Sequence, residues 1–103
     1  MNRNASIQYR AQACASTTVT LRAALAAYCN ADGRLEAAWS VGVGDFDALQ
    51  GASDTAAAAL QSAYTPCYRA FKAAADTRAA HTAASVLAEA ERIARQSVIT
   101  LTR

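Results

Sequence analysis

The sequence predicts an all-α fold, a small antiparallel bundle of three or four helices that pack closely over alanine. Alanine, the best helix former, fills 29 of the 103 positions. Apolar and small residues recur at heptad spacing between Ile7 and Tyr28. No segment alternates between apolar and polar residues for long enough to predict a strand. The length is that of a single helical-bundle domain, residues 1–103.

The composition predicts a thin hydrophobic core. Only 15 residues are Ile, Val or Leu, and 7 are aromatic. Few large apolar residues are also typical of disordered chains, but those chains carry a high net charge and this one carries +2. We therefore expect a folded domain of small stability that leaves apolar surface for a partner or a second copy. The alternative is a monomer of modest stability.

The first helix is expected from about Asn4 or Ser6 to Asn30. Its predicted inward face is a seam with alternating steps of four and three residues: Ile7, Ala11, Cys14, Thr18, Leu21, Leu25 and Tyr28. Such a seam is typical of a helix that packs lengthwise against another helix. The segment 30–33, Asn-Ala-Asp-Gly, is expected to end this helix, because glycine favours the position after a helix and aspartate caps a following one.

A short helix is expected next, over residues 34–40, ended by the glycines of segment 42–44. Asp45 is a good N-cap for the following helix, predicted from Phe46 to about Tyr64. The predicted inward face of that helix is Phe46, Leu49, Ser53, Ala56, Leu60 and Tyr64. Gly51 lies inside it at a cost of about 1 kcal/mol relative to alanine, which a close contact between helices would explain.

The segment Thr65–Pro66 is the strongest break in the sequence. Threonine is a good cap and proline suits the first helical position, so we expect a new helix, or a sharp kink in a continuing one, to begin here. The apolar face would continue through Cys67, Tyr68, Phe71 and Ala75.

The last helix is expected to run to about Thr100, after an interruption at 76–77 or 81–82. Its predicted inward residues are Val86, Leu87, Ala90, Ile93, Ala94 and Val98. On its outer side, Glu91 and Arg95 have the i,i+4 spacing of a favourable ion pair.

The residue inventory predicts a protein that is not an enzyme and holds no metal and no cofactor. His81 is the single histidine, and a lone histidine on an alanine-rich helix is more often structural. The three cysteines are too widely spaced for a structural zinc site. As a calcium loop, 28–39 would have Tyr28 and Trp39 where the first and last carboxylates belong, and 45–56 would have Gln50 and Ala56 at the turn and bidentate positions, so neither matches. No phosphate-binding glycine loop or nucleophile elbow is present.

Charge and hydropathy bear on partners and location. The longest uncharged run, residues 55–68, is shorter than the roughly 18 residues of a membrane span. One lysine and scattered arginines argue against nucleic-acid binding. The net charge is +3 over residues 1–31, −4 over 32–66 and +3 over 67–103, which suits packing between neighbouring helices. No secretory signal is visible, and we expect a cytoplasmic location; the acid-free residues 1–31 also allow an organellar one.

Cys67 is the centre of an alternative function, a thiol-based redox or small-molecule binding protein. A cysteine in the first turn after Pro66 would have its thiolate stabilised by free backbone N–H groups and by the positive charge of Arg69 and Lys72. The other interpretation of Cys67 is a small buried apolar residue. Three cysteines leave one unpaired, which fits a reducing compartment.

The aromatic residues form two groups along the chain. Tyr64, Tyr68 and Phe71 have helical spacing, and Trp39 and Phe46 bracket the predicted glycine turn. Tyr and Trp are favoured at the centres of protein interfaces, so these five residues are candidate partner contacts. The competing interpretation is that they close the ends of the bundle.

The segment Trp39-Ser40-Val41-Gly42 resembles the Trp-x-Gly motif of small proteins secreted by type VII systems, which are helical hairpins with Trp and Gly at a mid-chain turn. It has one more residue between Trp and Gly than that motif. The family's export signal, a Tyr followed four positions later by an acid, has no counterpart, since Tyr68 follows Tyr64 and Lys72 follows Tyr68. The resemblance implies a secreted factor.

The expectation from the sequence is a non-enzymatic helical protein that acts through protein–protein contacts, as a homo-oligomer or as a small subunit or adaptor of an assembly. The predicted contact surfaces are the heptad seam and the aromatic residues near Pro66. The alternatives are the Cys67 thiol function and the secreted Trp-x-Gly-like factor.

Overall fold

A computed structural model describes residues 3–103, which form three helices: α1 (Arg3–Val41), α2 (Phe46–Ala73) and α3 (Ala79–Ser97). Because the connections are short, consecutive helices run antiparallel. Residues 3–103 contain no strand, which confirms the predicted all-α bundle. The molecule is a rod of 60 × 19 × 19 Å. None of the described helices is long and apolar enough to cross a membrane.

The seam predicted on α1 is confirmed as its inward face. Five of its residues are buried, Cys14, Thr18, Leu21, Leu25 and Tyr28, and Ile7 and Ala11 are half-buried. Thr18, the polar member, donates its hydroxyl hydrogen to the carbonyl oxygen of Cys14 at 2.7 Å, so no unsatisfied polar group enters the core. The seam therefore packs within the chain against α2 and α3 and is not a contact surface for a partner.

α1 continues through residues 30–33, so the predicted break there and the separate helix over 34–40 are wrong. A glycine inside a helix costs only about 1 kcal/mol. The seam extends beyond it to Leu35, which is buried, and burying a leucine contributes roughly 1.5–3 kcal/mol. α1 ends where the backbone demands glycine: Gly42 has φ 77°, and a Cβ on Gly44 would lie 3.1 Å from the Cβ of Ala38.

α2 begins at the predicted cap and then passes through Pro66. The carboxylate of Asp45 accepts the N–H of Ala48 at 3.1 Å, which confirms the N-cap. The prediction that a new helix begins at 65–66 is wrong, since α2 runs to Ala73. Proline inside a helix costs about 3 kcal/mol, and burial of large side chains on both sides of it, Tyr64 and Cys67 among them, offsets that cost.

The interruption between α2 and α3 falls at residues 74–78, the first of the two predicted places, and His81 lies inside α3. The connection is tied to α1 by an ion pair from Arg10 to Asp76 at 2.7 Å. At the other end, α3 stops at Ser97 rather than Thr100. Val98 takes a left-handed conformation with φ 56° and is 91% exposed, so the prediction that it faces inward is wrong.

Residues 98–103, called here the C-terminal segment, reverse direction and lie along α2. Gln61 donates its side-chain N–H to the carbonyl oxygen of Thr100 at 3.0 Å, and the hydroxyl of Thr65 donates to the carbonyl oxygen of Thr102. Ile99 and Leu101 pack against the core. This segment therefore covers the part of α2 around Pro66.

Candidate functional site

The α1–α2 hairpin extends beyond the end of α3. At 1.5 Å per residue, the 39 residues of α1 span about 58 Å and the 19 residues of α3 about 28 Å. The C-terminal end of α3 lies beside Leu35 and Ser53, across a cleft of about 520 Å³. Beyond that cleft the bundle has two helices instead of three. We call residues 32–54, the far end of the hairpin, the tip.

The tip exposes three large apolar side chains. Trp39 is 68% exposed, Val41 75% and Val43 73%. Trp39 packs on one side against Phe46, with ring centroids 5.5 Å apart and the rings tilted. Grouped exposed apolar side chains are typical of protein contact sites, whereas singly scattered ones are ordinary. The tip carries three of the six large apolar residues that are exposed within residues 3–103.

The tip is also acidic. It holds one basic residue, Arg34, and five acidic ones, Asp32, Glu36, Asp45, Asp47 and Asp54, for a net charge of −4. Asp32 and Asp54 line the cleft beside the end of α3, and Glu36, Asp45 and Asp47 lie beyond it, so negative charge collects toward this end of the rod. The tip therefore carries both exposed apolar side chains and a net negative charge, and protein interfaces usually contain both kinds of residue.

The aromatic group near Pro66 occupies a different environment. Tyr64 is fully buried, Tyr68 and Phe71 are half-buried, and their rings form a continuous row with centroid distances of 6.0 and 6.4 Å. Of the five candidate contact residues, the structure thus leaves Trp39 largely in solvent, half-buries Phe46, Tyr68 and Phe71, and places Tyr64 in the core.

Tyr64 is held by two residues that the sequence did not identify as its partners. Its hydroxyl donates to Glu91 Oε2 at 2.6 Å and accepts from Arg103 Nε at 3.2 Å. Burial and the hydrogen bond to Glu91 raise the pKa of Tyr64. Arg103 also donates to Glu91 Oε1 at 2.9 Å and lies over the Tyr68 ring at 5.2 Å.

Glu91 therefore forms its hydrogen bonds with Tyr64 and Arg103, and not with the expected partner, Arg95. The i,i+4 spacing identified Glu91 as a pairing residue but gave the wrong partner, because the C-terminal segment returns to this place only in the folded chain. We call Tyr64, Glu91 and Arg103 the Tyr64 network.

Cys67 does not lie in a first helical turn, so that prediction is wrong. It is inside α2, fully buried, with its Sγ 3.7 Å from the Thr18 hydroxyl oxygen. No helix N-terminus is available to stabilise its thiolate, because the N–H groups of a helix interior bond within the helix. The seam residue Cys14 is also buried, and burial raises the pKa of its thiol.

Cys29 is exposed, and all three cysteines are free. Within residues 3–103, no three His, Cys, Asp or Glu side chains come together as ligands for a metal ion. No known protein family, curated protein or solved structure matches the chain. Its function must therefore be inferred from its own surfaces.

Proposed function

We propose that this protein is non-enzymatic and acts through protein–protein contacts made by the tip, as a homo-oligomer or as a small subunit or adaptor of an assembly. The observation that carries the proposal is the exposure of Trp39 at the end of a two-helix projection. Tryptophan at the centre of an apolar patch is the residue most often found to dominate binding energy.

The free energy available at Trp39 is large for a chain of this size. A tryptophan side chain has up to about 250 Å² to bury, so 68% exposure leaves about 170 Å² in solvent. At about 25 cal/mol per Å², covering all of that area contributes at most about 4 kcal/mol, before the entropy cost of association is subtracted. Within residues 3–103 no third helix covers it, because α3 ends near Leu35.

The overall surface supports the same proposal. The chain exposes 6522 Å², whereas a compact monomer of 10.7 kDa exposes about 5,500 Å². Its radius of gyration is 16.3 Å, against about 13 Å for a compact domain of this length. The excess of about 1,000 Å² is close to the roughly 800 Å² that one partner contributes to a standard interface.

The proposal also includes a location in the cell and a class of partner. Free cysteines suit a reducing compartment, so we propose a cytoplasmic location. Nucleic acid is not the partner that we propose for the tip, because the tip carries a net charge of −4.

The secreted Trp-x-Gly-like factor is a second candidate, favoured by one observation. Trp39 and Gly42 stand at the mid-chain turn of a helical hairpin, as the resemblance implies. The third helix departs from a simple hairpin. Detection of the chain in the medium of intact cells that make it, with a cytoplasmic enzyme retained inside, would favour this candidate over the cytoplasmic one.

Photo-crosslinking in the cells that make the protein tests the proposed function. A photoreactive phenylalanine analogue replaces Trp39 in one variant and Ser85, an exposed position in the middle of α3, in the control. We expect position 39 to capture a protein, either a second copy or another chain, and position 85 to capture far less. Equal capture at the two positions, or none at position 39, would refute a contact role for the tip.

A further inference from the structure

The charges of the chain are separated along the rod, with negative charge at the tip and positive charge at the opposite end. We call the end opposite the tip the base: residues 4–22 of α1 together with 67–81 of α2 and α3. These segments are neighbours, as the ion pair from Arg10 to Asp76 shows. The base holds one acid, Asp76, and five basic residues, Arg10, Arg22, Arg69, Lys72 and Arg78, for a net charge of +4.

We propose that the partner of the tip is a second copy of this chain, and that two copies pair antiparallel about a two-fold axis with the tip of each on the base of the other. This rests on the proposed function, since it names the partner that the tip contacts. A net charge of −4 then meets a net charge of +4 at both ends of the dimer. A tip-to-tip pair would instead place −4 against −4.

The base also offers apolar surface to the tip. Tyr9 is 71% exposed there and lines a shallow groove together with Ala5, Gln8, Ala11 and Gln12. Among the described residues, Tyr9 is a largely exposed aromatic side chain at the base, as Trp39 is at the tip. Each end of the rod therefore presents an uncovered aromatic ring, and the two ends carry opposite charge.

A two-fold axis lets one arrangement form both contacts at once. In an isologous dimer, if the tip of one copy lies on the base of the other, the reverse contact follows and the assembly closes. The axis then passes near residue 24 of α1. A standard interface buries roughly 800 Å² per partner, and in this arrangement that area is divided between two contacts, one at each end of the rod.

Charge exchange between two variants tests the pairing directly. The tip variant carries Glu36→Lys, Asp47→Lys and Asp54→Lys, which changes the tip from −4 to +2. The base variant carries Arg69→Glu, Lys72→Glu and Arg78→Glu, which changes the base from +4 to −2. All six side chains are exposed, and circular dichroism checks that each variant folds.

Sedimentation equilibrium then gives the dimer dissociation constant of each sample. We expect the wild type to dimerise and each variant alone to dimerise at least about tenfold more weakly, because its ends now repel. An equimolar mixture of the two variants is expected to regain dimers, because both of its contacts join opposite charges. A wild-type chain that stays monomeric, or a mixture no tighter than the single variants, would overturn the proposal.

Cys29 gives a second measurement that needs no charge change. It is the exposed cysteine, so a spin label attaches there and not at the two buried thiols. Cys29 lies five residues from the expected axis, about 8 Å along the helix, so the two labels should be within roughly 30 Å in the antiparallel dimer. A tip-to-tip dimer would separate them by 40 Å or more, since residue 29 is about 20 Å from the end of the hairpin. That longer distance would refute the antiparallel arrangement.

These outcomes also separate this inference from the proposed function. A monomeric chain whose position 39 is crosslinked to a different protein would refute the homodimer and leave the contact role of the tip standing. A monomeric chain with no crosslink at position 39 would refute both.

Discussion

Replacing Tyr64 with phenylalanine removes one buried hydroxyl and keeps the ring that fills the core. The hydroxyl is 2.6 Å from Glu91 Oε2 and 3.2 Å from Arg103 Nε. A hydrogen bond to a charged group contributes about 1.5–3 kcal/mol. In the variant, Glu91 keeps its bond to Arg103 at 2.9 Å and is partly exposed. We therefore expect the free energy of unfolding to fall by about 1.5–2 kcal/mol, near the lower end of that range.

Urea unfolding followed by circular dichroism measures this loss, at protein concentrations low enough for monomers. For a domain of this size it corresponds to a fall in Tm of roughly 6–16 °C. Tyr68→Phe is the matched control, because that ring stacks on Tyr64 but its hydroxyl is outside the Tyr64 network; we expect it to change stability by less than about 0.5 kcal/mol. If Tyr64→Phe is as stable as the control, the hydrogen bonds of the Tyr64 hydroxyl do not stabilise the fold, which would refute this reasoning.

Three further predictions concern the core and α2. Leu60→Ala should lower the free energy of unfolding by about 2–5 kcal/mol, because Leu60 is fully buried; a loss under 1 kcal/mol would show that the core does not close around it. Gly51→Ala should raise stability by about 0.4–1 kcal/mol, since Gly51 is helical and an added Cβ meets no atom within 4 Å; destabilisation of the monomer would contradict this packing. Burial raises the pKa of Cys14, so its contribution to stability is fully present below the unfolded thiol pKa of about 8.5 and is lost as the pH rises toward the folded value. Under reducing conditions, the fall in stability between pH 8 and 10 should be shallower in Cys14→Ala than in the wild type, and an equal slope would show that Cys14 is not the group responsible.

The sequence predicted those features of the fold that depend on local pattern. The heptad seam of α1 and the Asp45 cap are each set by neighbouring residues, and both are confirmed. The predicted breaks at 30–33 and 65–66 are wrong for a common reason. A glycine or proline has a fixed local cost, and the burial of nearby side chains such as Leu35 and Tyr64 against other helices offsets it.

The candidate site was predicted in part. Trp39 was identified as a contact candidate, but its exposure depends on where α3 ends relative to the hairpin, and no local pattern encodes that. The Tyr64 network depends on the return of the C-terminal segment. That segment is held on α2 by hydrogen bonds to the backbone carbonyl oxygens of Thr100 and Thr102. Every residue has such an oxygen, so the side chains of these two residues gave no signal.

The fluorescence of Trp39, the single tryptophan of the chain, tests most directly whether the uncovered tip is a contact surface. Its emission and its quenching by neutral acrylamide are measured over a dilution series in which light scattering follows the molecular mass. We predict solvent-exposed, readily quenched emission in the dilute monomer, and a blue shift with protection from acrylamide as the mass doubles. Blue-shifted, protected emission in a verified monomer would show that Trp39 is covered by its own chain, and would contradict the account.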